Sequence, residues 1–300
     1  MPELLFEQEN SKQVAEYNGF RFDHRSLLNC ALGKPSLAFG ESFSHYDGIM
    51  RSPRLPCPPY NFISRISKLN AKTGQFKGNP WLIAEYDISE DAWYFNENSS
   101  ITMPYCVLME IGLQPCGWLA TFILRDDIAG KELYFRNLDG TAVQHREVKP
   151  EDNAIVTKAT LTSVSKTENV IIVNFNVQCS IEQDPVFTMN TVFGFFAVEA
   201  MEEQKGLKIA TEEQNNFNRL GDFNQELTSY PEKYFKKSNA RLPSSKLLML
   251  DRITGYWPKG GKAGIGFMRA EKDVKAEDWF FKAHFFQDPV QPGSLGVEAL

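Results

Sequence analysis

The chain has 300 residues and a formal net charge of −6 at pH 7, with a sequence pI of about 5.4. At roughly 100–200 residues per domain, this length predicts about two domains. An acidic chain lacks the basic footprint of a general nucleic-acid-binding protein. No stretch reaches the ~18 consecutive apolar residues of a membrane span. The N-terminus also lacks the basic start and apolar run of a signal peptide.

The cysteines are odd in number and widely spaced: Cys30, Cys57, Cys106, Cys116 and Cys179. No CxxC pair is present and the four histidines do not cluster with the cysteines, so the sequence predicts no metal site. Reduced cysteines and a cytoplasmic location are the expectation. Cys106 and Cys116 are more typical of small buried hydrophobes than of nucleophiles.

In chain order, residues 1–50 read as a loop-rich segment with no clear element. Pro104 precedes a stretch that is apolar on most faces through Ile123, which predicts a buried central helix. Residues 121–201 read mainly as sheet. Residues 173–181 alternate between apolar and polar side chains with a period of two, which is typical of a half-buried strand. Residues 159–165 are its predicted hairpin partner, and 186–198 form a further long strand.

An internal duplication is the strongest organising feature of the chain. Six pairs of identical residues recur at offsets of 186 to 188 positions: Arg54 and Arg241, Arg65 and Arg252, Asp87 and Asp273, Trp93 and Trp279, Pro104 and Pro292, Glu110 and Glu298. The repeat predicts a first copy over 51–204, a polar linker over 205–240 and the start of a second copy over 241–300. By comparison with the first copy, roughly 100 further residues of sheet are expected after Leu300.

His284 is a candidate general base. It lies among aromatic residues, and Pro292-Gly293 opens a helix shortly after it. The free backbone N–H groups of that helix start can stabilise an oxyanion. A histidine that is only hydrogen-bonded in the core remains the alternative.

Glu110 is a candidate acid because it lies inside the most apolar helix of the chain. Burial of an unpaired carboxyl raises its pKa, and a neutral carboxylic acid can donate a proton. Gln114, one turn later, can orient that carboxyl. A glutamate on a partly solvated helix edge is the alternative.

The first copy lacks the histidine. Counted from Trp93 the equivalent position is Asn98, and counted back from Pro104 it is Asn96. The duplication therefore kept two acids and one base. If the copies pair across a pseudo-two-fold axis, His284 faces Glu110.

Residues 247–298 resemble the β-hydroxydecanoyl-acyl-carrier-protein dehydratase/isomerase family. The residues that carry the resemblance are His284-Phe285, Asp288-Pro289-Val290 and the run from Pro292 to Glu298. The first copy is similar to the degenerate partner found in tandem dehydratase regions of polyunsaturated fatty acid synthases. The resemblance implies an α+β double hot-dog, in which each copy wraps an antiparallel sheet around a long central helix, with the second copy incomplete at Leu300.

The resemblance also implies roles for individual residues. His284 is the base, the Val290 carbonyl accepts its other ring N–H, and the Gly293 N–H binds the thioester carbonyl. Glu110 supplies the acid from the opposite copy, with Gln114, Ser294 and Glu298 in supporting positions. Ser294 stands where the family usually has cysteine. Glutamate stands where it has aspartate, which makes isomerase activity less expected.

The implied reaction is dehydration of 3-hydroxyacyl thioesters to 2-enoyl thioesters. The substrate is carried on the phosphopantetheine of an acyl carrier protein, with no cofactor of the enzyme's own. Expected partners are that carrier domain and other domains of a fatty acid or polyketide-type synthase. Two alternatives remain at this point: a non-catalytic scaffold that binds acyl chains, and a hot-dog thioesterase.

Overall fold

The structure is a computed structural model that describes residues 12–48, 51–202, 205–206, 208–236 and 240–300. The remaining parts of the predicted N-terminal segment, first copy and linker lie outside the described residues. Helices and strands are numbered below in chain order.

The N-terminal segment is helical where a loop-rich segment was predicted, and that prediction was wrong for residues 24–46. Its elements are β1 (Glu16–Tyr17), β2 (Phe20–Arg21), α1 (His24–Leu32), α2 (Pro35–Phe39) and a 3-10 helix (Glu41–Tyr46). Asp23 caps α1 by accepting from the Ser26 N–H at 3.0 Å. Leu27, Cys30 and Ala31 are buried at helical spacing. The elements are too short for periodicity to reveal them, because tertiary packing stabilises them.

One six-stranded antiparallel sheet forms the body of the first copy, in the order β3-β4-β6-β7-β8-β5. Its strands are β3 (Arg65–Asn70), β4 (Trp81–Asp87), β5 (Leu133–Gln144), β6 (Ala154–Lys166), β7 (Val170–Ile181) and β8 (Asp184–Ala197). The three predicted strands, 159–165, 173–181 and 186–198, correspond to β6, β7 and β8. Their apolar positions face the core, and their polar positions face outward.

The sheet packs around α4 (Tyr105–Ile123), which α3 (Trp93–Glu97) precedes and α5 (Arg125–Ile128) follows. Pro104 is the N-cap of α4 and most side chains of the helix are buried, as predicted. By length and composition α4 could cross a membrane, but 89% of that apolar window is buried, which is typical of a core helix. A long central helix wrapped by an antiparallel sheet is the hot-dog fold that the resemblance implied.

Gly112 lets α4 approach the sheet closely. A Cβ at this position would lie 3.3 Å from side-chain atoms of both Met189 and Phe187. We expect Gly112→Leu to lower the free energy of unfolding by ~1–3 kcal/mol because the core must shift to hold the side chain. The matched control is Gly296→Leu in the last described helix, where an added Cβ meets nothing within 4 Å. Denaturant unfolding measures both variants, and equal losses would contradict the close-approach explanation.

After the large sheet come α6 (Val198–Glu202), α7 (Thr211–Asn218), β9 (Gln225–Glu226), α8 (Glu232–Phe235) and a 3-10 helix (Ser245–Leu247). The second copy adds β10 (Arg252–Trp257), β11 (Phe267–Glu271), α9 (Trp279–Ala283) and α10 (Gly293–Glu298). Strand β9 pairs with β10, and Leu227 is fully buried beside Leu248 and Ile253. This part of the predicted linker therefore packs on the second copy. Its mostly polar composition hid the buried anchor Leu227 and the partly buried Phe223, Tyr234 and Phe235 that pack in the same cluster.

Each copy contains a β-hairpin, and the two hairpins agree in detail. Strands β3 and β4 have a bulge between Ile66 and Lys68, and β10 and β11 have one between Ile253 and Gly255. In each hairpin the first arginine pairs with a glutamate and an aspartate of the second strand or just after it: Arg65 with Glu85 and Asp87, Arg252 with Glu271 and Asp273. The offsets read from the sequence thus correspond to equivalent positions in space.

Candidate active site

His284 ends helix α9 and is held by backbone bonds on both sides. Its N–H donates to the Phe280 carbonyl at 2.8 Å, and its own carbonyl accepts from the Val290 N–H at 2.8 Å. The ring Nδ1 lies 3.0 Å from the Val290 carbonyl oxygen. Because a carbonyl only accepts, we assign the ring proton to Nδ1, which leaves the Nε2 lone pair free to take a proton. The resemblance implied a hydrogen bond between His284 and the Val290 carbonyl, and the structure contains it.

Burial, together with the nearby Arg136 guanidinium, lowers the pKa of His284 to about 4. The Val290 hydrogen bond and the Asp288 carboxylate oppose that shift. A catalytic base was expected to have a pKa near the working pH. The pKa is lower than expected because the surrounding protein desolvates the ring, which also lies against Phe285, 3.7 Å between ring centroids. The imidazole is therefore neutral at pH 7.

Glu110 is buried, with 5% of its surface exposed, so the solvated-edge alternative was wrong. Ser294 Oγ lies 2.6 Å from Glu110 Oε1, and Gln114 Nε2 lies 3.1 Å from Oε2. Burial raises the pKa of the Glu110 carboxyl, and the two hydrogen bonds partly offset that rise. A carboxyl in this setting favours the protonated form.

Gln114 is fixed by the loop that precedes β3. Its Oε1 accepts from the Phe62 N–H at 2.8 Å, and its Nε2 also donates to the Tyr60 carbonyl at 2.9 Å. The side chain therefore has one orientation and presents its amide N–H to Glu110. The predicted orienting role of Gln114 agrees with this geometry.

Predicted site residues from both copies line one cavity of about 520 Å³. His284, Val290, Gly293 and Ser294 line it from the second copy, and Glu110 and Gln114 from the first. Much of the remaining wall is apolar and includes Met109, Leu113, Phe135, Met189, Phe193 and Val297. Within the described part of the chain the Gly293 N–H has no protein acceptor. The cavity thus combines a base, an acid, a free N–H and an apolar wall.

The equivalent loop in the first copy keeps the hydrogen bonds of the histidine loop but lacks its base. Asn98 ends α3 as His284 ends α9, and its N–H donates to the Tyr94 carbonyl at 3.0 Å. The Asn98 Nδ2 donates to the Thr102 carbonyl at 2.7 Å, the counterpart of the bond from His284 to Val290. The structure therefore selects Asn98, not Asn96, as the equivalent position.

Contacts between the copies follow a pseudo-two-fold relation. The Cys57 N–H donates to the Ala283 carbonyl at 2.7 Å, and in the reciprocal bond the Ser244 N–H donates to the Glu97 carbonyl at 2.8 Å. The rings of the equivalent residues Trp93 and Trp279 meet edge to face, 6.0 Å apart. Glu298 is the equivalent of Glu110 under this relation, and it does not line the cavity of His284. Its carboxyl is half-buried, and burial raises its pKa, as burial does for Glu110.

The chain matches the FabA-like domain family over residues 55–190 and 242–300. The chain belongs to this family. A polyunsaturated fatty acid synthase polypeptide from Thraustochytrium sp. is 28% identical over 294 aligned residues, which cover 89% of this chain and 19% of that protein. The chain therefore spans about a fifth of the length of this relative.

Among solved structures, the dehydratase heterocomplex ApeI:P from Xenorhabdus doucetiae matches 49% of this chain and 90% of its own, at 10% identity and a TM-score of 0.37. A mutant thioesterase from Pseudomonas aeruginosa matches 44% of this chain and 81% of its own, at 8% identity and a TM-score of 0.31.

Two residues of this FabA-like site were missed from the sequence. Tyr60 Oη lies 2.8 Å from Ser294 Oγ, although the proline-rich run before it gave no functional signal. Arg136 on β5 forms a bidentate ion pair with Asp288 in the histidine loop, at 2.6 and 2.9 Å. A pairing over 152 residues leaves no local pattern in one sequence.

The cysteines of this FabA-like chain are all buried and free. Cys116 is a buried hydrophobe as predicted, and burial raises the pKa of its thiol. The described residues contain no group of three or more histidine, cysteine, aspartate or glutamate side chains suited to a metal ion.

The ion pair between Arg136 and Asp288 ties the histidine loop to the first copy's sheet. Both side chains are largely buried, so removing one partner leaves an uncompensated charge. We expect a double-mutant cycle of Arg136→Met and Asp288→Asn to give a coupling of ~0.5–3 kcal/mol in the free energy of unfolding. Additive losses would show that the pair does not hold the loop. The exposed pair of Lys149 and Glu151 is the matched control and should give a coupling near zero.

Proposed function

We propose that this protein dehydrates 3-hydroxyacyl thioesters to 2-enoyl thioesters in polyunsaturated fatty acid synthesis. One observation carries the proposal: a neutral histidine of the second copy shares an apolar cavity with a buried carboxyl of the first. Membership of the FabA-like family and the similarity to a polyunsaturated fatty acid synthase support it. The substrate would arrive on the phosphopantetheine of an acyl carrier protein.

The first step is removal of the α-proton by His284 Nε2. The Val290 carbonyl keeps the other ring nitrogen protonated, so Nε2 is the basic position. The Gly293 N–H, free of protein acceptors in the described structure, donates to the thioester oxygen as negative charge develops there. A fixed donor in an apolar cavity is worth more than the same donor in water.

The second step is departure of the β-hydroxyl. The neutral Glu110 carboxyl gives its proton to that oxygen as the C–O bond breaks, and water leaves. The α-proton then resides on His284 and Glu110 is ionised. Both groups must return to their starting protonation states before the next turnover.

The organisation proposed for the protein follows from this site. We infer that residues 51–204 and the second copy from 241 onward act as one catalytic unit, because each contributes only half of the constellation. The expected partners are a carrier domain and other synthase domains, in a cytoplasmic location, with no cofactor of the enzyme's own.

Product analysis tests this function against the two alternatives. A 3-hydroxyacyl pantetheine thioester is incubated with the protein, and we expect an enoyl product that has lost one water, with no release of free thiol. Thiol release without the enoyl product would support a thioesterase. An unchanged substrate would support an acyl-binding scaffold, and either result would overturn the proposal.

The pH profile of dehydration tests the environment of His284. With a pKa of about 4, the base stays neutral and competent well below pH 6.5, the ordinary histidine value. We expect kcat/KM to hold as the pH falls from 7 and to drop only near pH 4. Burial raises the pKa of Glu110, so we expect kcat/KM to fall on the alkaline side only above the pH at which an ordinary glutamate ionises. An acid limb centred near the ordinary histidine value would contradict this environment.

A further inference from the structure

Tyr60 contacts both of the groups that donate hydrogen bonds to the Glu110 carboxyl. Its hydroxyl Oη lies 2.8 Å from Ser294 Oγ, which in turn lies 2.6 Å from Glu110 Oε1. Its backbone carbonyl accepts from Gln114 Nε2 at 2.9 Å, and the same nitrogen donates to Glu110 Oε2 at 3.1 Å. The Tyr60 ring packs edge to face on Trp279 of the second copy, 5.5 Å between centroids. Tyr60 therefore joins the surroundings of the acid to both copies.

The number of available protons determines the direction of these hydrogen bonds. Tyr60 is fully buried, and within the described residues its Oη makes one hydrogen bond, to Ser294 Oγ. A buried tyrosine hydroxyl that donates to nothing is costly, so Tyr60 donates to Ser294. The single Ser294 proton is then left for Glu110 Oε1. The nearby Cys106 thiol is a poor alternative acceptor, because burial raises its pKa and a protonated sulfur accepts weakly.

Both carboxyl oxygens of Glu110 thus accept from protein donors. If the carboxyl instead donated to Ser294, the Ser294 proton would lose its acceptor. Gln114 cannot turn round to accept, because its Oε1 already accepts from the Phe62 N–H at 2.8 Å. In the part of the chain that the structure describes, Glu110 makes no other side-chain hydrogen bond. The proton of the neutral carboxyl is therefore left for a group in the cavity that Glu110 lines.

We propose that Tyr60 is a positioning residue that acts through Ser294 to direct the acidic proton of Glu110 toward the substrate. The inference rests on the proposed function, because the acceptor of that proton is the β-hydroxyl of a 3-hydroxyacyl thioester. Tyr60 and Ser294 keep their own protons throughout. As the C–O bond breaks, Glu110 gives its proton to the departing oxygen and becomes a carboxylate.

The same hydrogen bonds stabilise the carboxylate as it forms. A hydrogen bond to an ionised acceptor is roughly twice as strong as one to a neutral acceptor. Ser294 and Gln114 therefore hold the ionised product form of Glu110 more strongly than the neutral starting form. Since this gain appears in the transition state, its loss lowers kcat and leaves KM nearly unchanged.

Single and double variants of Tyr60 and Ser294 test this chain of hydrogen bonds. We expect Ser294→Ala to lower kcat roughly 10–100-fold and Tyr60→Phe to lower it roughly three- to tenfold. Because Tyr60 acts through Ser294, Tyr60→Phe should have no further effect once Ser294 is alanine. Tyr94→Phe is the matched control and should keep kcat. Tyr94 is 1% exposed, its Oη lies 3.3 Å from the Tyr86 Oη, and it does not line the cavity.

A titration of the Glu110 carboxyl separates this role from a merely structural one. Groups near the carboxyl or in its cavity that titrate or carry charge are Tyr60, Cys106, Tyr105, His284, Arg54 and Arg136. Carbon-13 NMR of labelled glutamate measures the pKa, and Glu110→Gln assigns the signal. Ser294→Ala removes a donor to the ionised form, so we expect the pKa of Glu110 to rise by roughly one unit. Loosened packing would instead admit water and lower that pKa.

Two results would overturn the inference. One is a pKa of Glu110 that stays or falls in Ser294→Ala, and the other is additive losses of kcat in the double variant. Ser294→Cys should lie between serine and alanine in both measurements, because a thiol is a weak donor. If the unmodified protein makes no enoyl product, the proposed function fails, whereas the titration still decides whether Ser294 donates to Glu110.

Discussion

Replacing His284 with asparagine is expected to abolish dehydration and leave the fold intact. The chain itself supplies the precedent, because Asn98 makes the equivalent bond to the Thr102 carbonyl in the first copy. An asparagine at position 284 can thus donate to the Val290 carbonyl as the imidazole does, but its amide cannot take up a proton. Loss of a general base lowers kcat by ~10²–10⁴.

The control for this variant is its unfolding transition, which should match that of the unmodified protein. The reciprocal variant, Asn98→His, should not rescue His284→Asn in the same chain. Tyr105 occupies the position equivalent to Gly293, and Glu298 does not line the same cavity as Glu110. Full activity in His284→Asn would show that this histidine is only a structural core residue.

Replacing Glu110 with glutamine should cause a loss of the same order. The amide keeps the size of the side chain, and its oxygen can still accept from Ser294, but it has no acidic proton for the departing hydroxyl. We expect kcat to fall ~10²–10⁴ with little change in KM, because the carboxyl acts in the transition state.

Glu110→Asp is the informative companion to that variant. It keeps an acid but shortens the side chain, so the carboxyl draws back from Ser294 and Gln114. We expect activity between that of Glu110→Gln and the unmodified protein, measured as loss of water from a 3-hydroxyacyl thioester. Equal activity of Glu110→Gln and the unmodified protein would remove Glu110 from the mechanism.

Periodicity in the sequence predicted the regular elements of the first copy well. Helix Tyr105–Ile123 and strand Val170–Ile181 have strong patterns, because one is apolar on most faces and the other alternates. The helices between residues 24 and 46 were missed because each has too few turns for a pattern. They are stabilised by burying residues such as Leu27 against the main core.

The site was predictable where its residues follow one another along the chain. The loop from His284 to Ser294 carries the base and its backbone partners within eleven positions, and the repeat pointed to Glu110 as the acid. Tyr60 could not be found this way, since its contact with Ser294 spans 234 residues. The lowered pKa of His284 also depends on burial, which only the folded chain shows.

The most direct test of a site shared between the copies compares Glu110→Gln with Glu298→Gln in the first turnover of dehydration. Each variant removes one acid from equivalent helix positions, and only Glu110 lines the cavity of His284. We predict that Glu110→Gln loses ~10²–10⁴ in the first-turnover rate and that Glu298→Gln keeps the rate of the unmodified protein. A large loss in Glu298→Gln with normal chemistry in Glu110→Gln would contradict a site that joins the two copies.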